Sequence, residues 1–179
     1  MKHYNTQIIY IHGLGSSAST SKKFQDIHSA FENVIQFQWN QKNLTSKTLE
    51  NFANELDTSK HIVIIGSSAG GKLAIRLKNI LQTKTWAGLV LLNPLLDITF
   101  RKQANQNILT NQLLLDDIES NITEALVIYS EEDELIDQKL NVESMSTSNK
   151  FVKVHDNHRL SNSSSIIIEE VDKYLNSYT

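Results

Sequence analysis

The chain carries a series of short, continuously apolar runs separated by longer polar stretches. A strand that is apolar on both faces is buried on both sides, as in a parallel sheet covered by helices. The four clearest runs are Ile8–Ile11, Ile62–Ile65, Leu89–Leu92 and Leu126–Tyr129. Weaker strands are predicted at Val34–Gln38 and Phe151–Val154. This pattern therefore predicts a mostly parallel central sheet.

Between these runs, apolar residues recur at helical spacing. In the stretch from Thr48 to Leu56, for example, they place Leu49, Phe52 and Ala53 on one face. The predicted helices are Ser21–Phe31, Thr48–Leu56, Ala69–Leu81, Leu135–Met145 and Ile166–Leu175. Alternating strands and helices predict a three-layer α/β fold, in one domain over residues 1–179. The interval from Leu96 to Thr123 has room for a helix or two, which predicts a minimal lid or none.

Composition narrows the classes of function. The formal net charge of -3 gives no basic surface for nucleic acid. The absence of cysteine excludes disulfides, thiolate catalysis and cysteine-bound metals. The apolar runs are too short to span a bilayer, and no signal-peptide core follows Met1. We therefore expect a cytoplasmic protein without membrane or nucleic-acid partners, whereas composition carries no information on its oligomeric state.

The segment Gly66-Ser67-Ser68-Ala69-Gly70 lies between a predicted buried strand and a predicted helix. A sharp strand-to-helix turn strains the backbone of its central serine, so that small neighbours are needed on both sides. The turn exposes the Ser68 hydroxyl at the N-terminus of a helix, where unpaired N–H groups favour negative charge. Ser68 is therefore the candidate nucleophile, and Ser67 is a spacer.

The same residues nearly match a phosphate-binding loop, with Gly66, Gly71 and Lys72 at the required spacing. Such a loop needs serine or threonine after the lysine to hold magnesium, and this chain has Leu73. The mismatch makes a degenerate nucleotide-binding loop the weaker interpretation. In the nucleophile interpretation, Lys72 is a solvated helix residue.

A serine nucleophile needs a general base, and the base needs a carboxylate to orient it. Asp133 lies in the loop after Leu126–Tyr129 and is the preferred candidate acid. Asp137, near the start of the next helix, is the alternative acid or a helix N-terminal carboxylate. Of the histidines after the last strand, His158 lies farther into its loop and is the candidate base, whereas His155 is predicted to be structural. Three other histidines, His3, His28 and His61, are predicted to be surface or structural residues.

The glycine-rich segment His12-Gly13-Leu14-Gly15 follows the first strand. An acyl-transfer intermediate carries an oxyanion that needs two preorganised N–H donors. The residue after the nucleophile, Ala69, is expected to supply one donor and Leu14 the other. His12 is predicted to brace this loop rather than to act as a base.

These segments, together with Asn93-Pro94 and Asp156-Asn157-His158, resemble the α/β-hydrolase superfamily and, within it, the small bacterial YqiA-like esterases. The resemblance covers most of the chain. It implies an α/β-hydrolase fold with Ser68, Asp133 and His158 as the triad, and Leu14 and Ala69 as oxyanion donors. The chain departs from the family in having Glu132 where a glycine often precedes the catalytic aspartate.

The sequence thus predicts a serine hydrolase that cleaves a small carboxylic ester or thioester without a metal or organic cofactor. Two alternatives stay open. One is an interaction protein that keeps the hydrolase scaffold but has lost turnover. The other is the nucleotide-binding protein with a degenerate phosphate loop. The natural acyl substrate is not specified by these motifs.

Overall fold

The computed structural model describes residues 5–17, 19–102, 108–117 and 122–177. Within these residues, six strands form one sheet in the order β2-β1-β3-β4-β5-β6, and every neighbouring pair is parallel. All six predicted strands are confirmed. Their bounds are β1 Thr6–Ile11, β2 Val34–Phe37, β3 His61–Ser67, β4 Ala87–Leu92, β5 Leu126–Tyr129 and β6 Lys150–Lys153.

Helices cover both faces of this sheet. They are α1 Lys22–Ala30, α2 Ser46–Glu55, α3 Gly70–Leu81, α4 Gln112–Leu115, α5 Gln138–Glu143 and α6 Ser164–Asn176, with a short 3₁₀ helix at Ile98–Phe100. No helix within the described ranges combines the length and the apolar character needed to cross a membrane.

The alternating side chains of the strands divide the core into two clusters. One cluster packs β-strand residues such as Ile9 and Ile64 against Leu49 of α2 and Leu73 of α3. The other packs Tyr10, Ile65 and Val90 against Ile27 of α1 and Val171 of α6. Because each central strand contributes to both clusters, its apolar run is continuous, and the predicted three-layer arrangement is confirmed.

One predicted helix begins later than its apolar spacing suggests. Residues from Leu135 onward were expected to be helical, but α5 starts only at Gln138. Asp137 is its N-cap and accepts a hydrogen bond from the Leu140 N–H at 3.2 Å. The preceding residues are held in a loop instead, because Ile136 forms an antiparallel bridge with Arg101.

The parallel strands bring their carboxyl ends to a single edge of the sheet. His12 follows β1, Ser68 follows β3, Asn93 follows β4 and Ser130 follows β5. In an open parallel sheet this edge is where ligands bind. The candidate site residues are therefore brought together by topology, although they are far apart in the sequence.

Candidate active site

Ser68 occupies the sharp turn between β3 and α3 in a strained conformation. Its φ of 54° lies in the left-handed region, which a non-glycine residue rarely adopts. The backbone around it is fixed by three hydrogen bonds: the Ser68 N–H donates to the Leu92 carbonyl at 3.0 Å, and the Ser68 carbonyl accepts from Gly71 at 2.9 Å and Leu95 at 3.0 Å. The neighbouring strand thus holds the strain in place.

Two glycines allow the chain to make this turn. A Cβ on Gly66 would lie 2.6 Å from the Ala74 Cβ and 2.8 Å from the Gly70 carbonyl oxygen. A Cβ on Gly70 would overlap the carbonyl oxygens of Ile11 and His12. The carbonyl oxygens that Gly70 faces belong to the backbone and cannot rotate away. The start of α3 can therefore approach the end of β1 this closely only if residue 70 has no side chain.

We therefore expect Gly70→Ala to lower the free energy of unfolding by about 3 kcal/mol, because β1 and α3 must move apart. The better helix propensity of alanine offsets only about 1 kcal/mol of this cost. Gly71→Ala is the matched control, since its Cβ would meet the Pro94 side chain at 3.1 Å rather than backbone. Urea unfolding measures both variants. Equal stability of the two would show that the backbone overlap is relieved without cost.

Ser68, His158 and Asp133 lie in a continuous chain of hydrogen bonds. His158 Nε2 is 3.0 Å from Ser68 Oγ, and His158 Nδ1 is 2.8 Å from Asp133 Oδ2. The histidine side chain is 12% exposed and the aspartate side chain is fully buried. This geometry fits an imidazole whose Nδ1–H donates to Asp133, which leaves Nε2 free to accept the Ser68 proton.

Asp133 is held ionised by its surroundings. Its Oδ1 accepts from the N–H groups of Leu135 and Ile136 at 2.9 and 3.0 Å, and its Oδ2 also accepts from Gln138 Nε2 at 2.9 Å. Burial by itself would raise the pKa of Asp133. The hydrogen bond and the charge of His158 lower this pKa, as do the hydrogen bonds from the Gln138 side chain and the Leu135 N–H, so that the pKa lies below its ordinary value. Sequence reasoning missed Gln138, since nothing in its spacing marks it.

The two candidate acids occupy different places. Asp133 is hydrogen-bonded to His158, whereas the side chain of Asp137 caps α5. The backbone N–H of Asp137 also donates to the Phe100 carbonyl at 2.7 Å. Asp137 is thus committed to a structural contact at the helix start.

Asn93 joins the loops that carry Asp133 and His158. It is fully buried, with a φ of 42°, directly after β4. Its Oδ1 accepts from the Ser130 N–H at 2.8 Å, and its Nδ2 donates to the carbonyls of His158 at 3.1 Å and Asn157 at 3.3 Å. The Asn93 side-chain amide therefore fixes the position of the Asp133 loop relative to the His158 loop.

We expect Asn93→Asp to lower the free energy of unfolding by about 2 kcal/mol, because a carboxylate cannot donate to the two carbonyls. Displacement of the His158 loop should also lower kcat for p-nitrophenyl butyrate, by up to about a hundredfold. Asn157→Asp is the control, since the Asn157 side chain accepts a bond from the Arg159 N–H that aspartate can also accept. Urea unfolding and steady-state kinetics test both. An Asn93→Asp variant matching the control would refute this positioning role.

The predicted oxyanion loop lies directly against Ser68. A Cβ on Gly13 would be only 3.0 Å from the Ser68 Cβ. Leu14 and Ala69 both line the cavity beside Ser68. Within the described part of the chain, neither residue donates its backbone N–H to an acceptor. Two donors are thus available beside the hydroxyl.

His12 packs beneath this loop. It is buried, stacks on Trp39 with ring centroids 5.2 Å apart, and its Nδ1–H donates to the Gly13 carbonyl at 2.8 Å. Nε2 accepts from the Trp39 N–H at 3.5 Å. Burial lowers the pKa of His12, although the bond to Gly13 partly opposes this, so that the neutral ring is favoured. These contacts fit the predicted bracing role.

The prediction that Lys72 is solvated is wrong. Its side chain is buried, and its ammonium donates to the Asp116 carbonyl at 3.0 Å. The nearby Arg76 donates to the Leu113 carbonyl at 3.3 Å, so that two basic residues of α3 hold the segment around α4. These contacts give no support to a phosphate-binding role for Lys72.

The remaining histidines lie apart from Ser68. His155 is exposed and contacts Glu132 at 2.9 Å, His28 is exposed, and His61 packs edge-on to Trp86. His3 lies outside the described residues. Within the described ranges, no three histidine, aspartate or glutamate side chains are grouped so that they could hold a metal ion.

Solved structures share this fold. A protein from Xanthomonas campestris pv. campestris, described as a hydrolase of the alpha/beta superfamily, superposes with a TM-score of 0.66 at 17% identity. The match covers 96% of this chain and 97% of that one. Human thioesterase 2 gives 0.64 at 12% identity over 97% of both chains. The RedJ thioesterase of Streptomyces coelicolor gives 0.65 at 12% identity over 95% of this chain and 90% of its own. The predicted α/β-hydrolase fold is confirmed.

Sequence comparison is consistent with the fold. No curated protein sequence matches the chain. The model of the family described as "Uncharacterised protein family (UPF0227)" matches residues 7–172. Because this match spans nearly the whole described sheet and its helices, the chain belongs to the UPF0227 family.

Proposed function

We propose that this chain is a serine hydrolase that cleaves a carboxylic ester or thioester through an acyl-enzyme intermediate. The observation that carries the proposal is the hydrogen-bonded sequence Ser68 Oγ, His158 Nε2, His158 Nδ1 and Asp133 Oδ2, with distances of 3.0 and 2.8 Å. These residue types in this order are the machinery of acyl transfer. The thioesterases among the structural neighbours fit the same reaction class.

In the first half of the proposed reaction, Ser68 Oγ attacks the acyl carbonyl and His158 Nε2 takes the serine proton. The Leu14 and Ala69 N–H groups stabilise the oxyanion of the tetrahedral intermediate. Asp133 fixes the imidazole tautomer and stabilises the imidazolium. His158 then returns the proton to the leaving alcohol or thiol, and an acyl group stays on Ser68.

In the second half, water replaces the leaving group. His158 takes a proton from the water, which attacks the acyl-Ser68 carbonyl, and the same two N–H groups hold the second oxyanion. Collapse of this intermediate releases the carboxylic acid and returns the proton to Ser68. The cycle needs no metal or organic cofactor.

A fluorophosphonate probe tests the proposal directly, since it reacts covalently with activated serine nucleophiles. We expect the native protein to be labelled, with the adduct on the peptide that contains Ser68 when it is mapped by mass spectrometry. The same preparation should hydrolyse p-nitrophenyl butyrate. Labelling of another residue would contradict Ser68 as the nucleophile, and the absence of both labelling and hydrolysis would favour the non-enzymatic alternative.

A further inference from the structure

The cavity beside Ser68 is basic. It has a volume of about 440 Å³, and its described lining residues include no aspartate or glutamate. Four cationic side chains line it: Lys22, Lys23, Arg101 and Arg159. The whole chain has a net charge of -3, so the charge of this cavity is opposite in sign to the net charge of the protein. A local excess of one charge in a cleft attracts ligands of the opposite charge.

Lys23, in the first turn of α1, is a cation of this cavity whose ammonium has no ionic partner among the described residues. Its ammonium makes one long hydrogen bond, 3.4 Å, to the His158 carbonyl. No carboxylate within the described ranges lies at ion-pair distance from it. The adjacent Lys22 differs, since it pairs with Asp26 at 2.9 Å.

The nearest acids are already engaged by other groups. Asp133 accepts from His158 and Gln138, and Asp156 accepts from the Asn162 N–H at 2.8 Å and from Ser163 Oγ at 2.8 Å. Burial, with a smaller contribution from the Arg159 charge, lowers the pKa of Lys23 to about 8, and these two carboxylates offset that shift only in part. A half-buried ammonium without a counter-ion destabilises the fold, and an anionic ligand would relieve that cost.

Arg159 extends the same surface. It directly follows His158, its side chain is exposed, and its guanidinium makes no hydrogen bond or ion pair with the described residues. A guanidinium presents paired N–H donors that match a carboxylate or a phosphate. Lys23 and Arg159 thus lie on the same side of the cavity as the nucleophile's base.

We infer that the substrate carries an anionic group, a carboxylate or a phosphate, which Lys23 and Arg159 bind while the ester or thioester carbonyl lies at Ser68. This inference rests on the proposed function and narrows its substrate class. Neutral short-chain esters are then poor mimics of the natural substrate, because they leave the ammonium of Lys23 without an anionic partner.

The test compares two esters that differ in one charge: mono(p-nitrophenyl) adipate and its methyl ester. We expect kcat/KM of the native protein to favour the anionic ester about tenfold, as expected for charge-assisted hydrogen bonds. Lys23→Met should abolish this ratio. Lys47→Met, which removes an exposed lysine on α2, should keep it. A p-nitrophenyl ester of a phosphorylated hydroxyhexanoic acid, compared in the same way, distinguishes phosphate from carboxylate recognition.

Lys23→Met should fold at least as stably as the native chain at neutral pH, because it replaces a half-buried charge with an apolar side chain of similar length; circular dichroism on heating checks this. Equal rates on charged and neutral esters, or a preference that survives Lys23→Met, would overturn the inference while the proposed hydrolase function stands.

If no ester is hydrolysed, the proposed function fails, and the binding inference is still tested. Calorimetric titration of Ser68→Ala with mono(p-nitrophenyl) adipate and its methyl ester then decides. Tighter binding of the anionic ester, lost in the Ser68→Ala/Lys23→Met double variant, supports the anion site. Equal affinity for the two esters refutes it.

Discussion

Ser68→Ala is expected to lower kcat for p-nitrophenyl butyrate about a million-fold, to the residual rate that an oxyanion site and substrate binding alone provide. The Oγ that would form the acyl bond, and that lies 3.0 Å from His158 Nε2, is absent in this variant. No neighbouring group replaces it. Fluorophosphonate labelling should be lost in parallel with turnover.

The adjacent serine supplies the matched control. Ser67 is the last residue of β3 and is buried, and His158 Nε2 is hydrogen-bonded to Ser68 rather than to Ser67. Ser67→Ala should change the free energy of unfolding by no more than about 1 kcal/mol, and it should keep turnover and labelling. A Ser68→Ala variant that hydrolyses the ester at the native rate, or a Ser67→Ala variant that is the inactive one, would contradict the assignment of the nucleophile.

The fold could be predicted from the sequence because its strongest signal is local. Central strands such as Ile62–Ile65 are apolar at every position, since both of their faces are covered, and this pattern is legible without any knowledge of partners. The predicted helices between the strands then favour a parallel sheet, because parallel neighbours need a long crossover connection, which is usually a helix.

Much of the candidate site could be predicted for the same reason. The carboxyl ends of parallel strands lie at one edge, so that Ser68, Asp133 and His158 were expected to converge from their places after β3, β5 and β6. The sequence left Asp133 and Asp137 as alternatives. They are separated by where α5 begins, which depends on the bridge between Arg101 and Ile136.

Other features depend on contacts between distant segments. Lys72 resembles an exposed helix residue by sequence, but the segment around Asp116 folds over it. Gln138 contacts Asp133 only because α5 is oriented by its packing against Pro94, whose carbonyl accepts a hydrogen bond from Gln138 at 3.1 Å. The contact between the Lys23 ammonium and the His158 carbonyl likewise depends on where α1 packs against the sheet. These contacts depend on how distant segments pack, so that no local sequence pattern predicts them.

Asp133→Asn is expected to lower kcat about ten-thousand-fold while the protein still folds. Aspartate accepts the Nδ1–H of His158 at 2.8 Å, which leaves Nε2 free to take the Ser68 proton. The amide Nδ2 of asparagine can donate to Nδ1 instead. This favours the tautomer in which Nε2 carries the proton and cannot act as a base, and an amide cannot stabilise the imidazolium by its charge.

Asp137→Asn provides the comparison, because asparagine caps a helix as well as aspartate does and can accept the Leu140 N–H in the same way. Its kcat should stay within about twofold of the native value, since the substituted side chain makes no contact with His158. Steady-state kinetics with p-nitrophenyl butyrate, and thermal unfolding of both variants, decide between the acids. A large loss of kcat in Asp137→Asn with native activity in Asp133→Asn would reassign the acid. Loss of turnover in a folded Asp133→Asn variant alone would mean that one carboxylate, fully buried beneath the histidine, sets the protonation state on which attack by Ser68 depends.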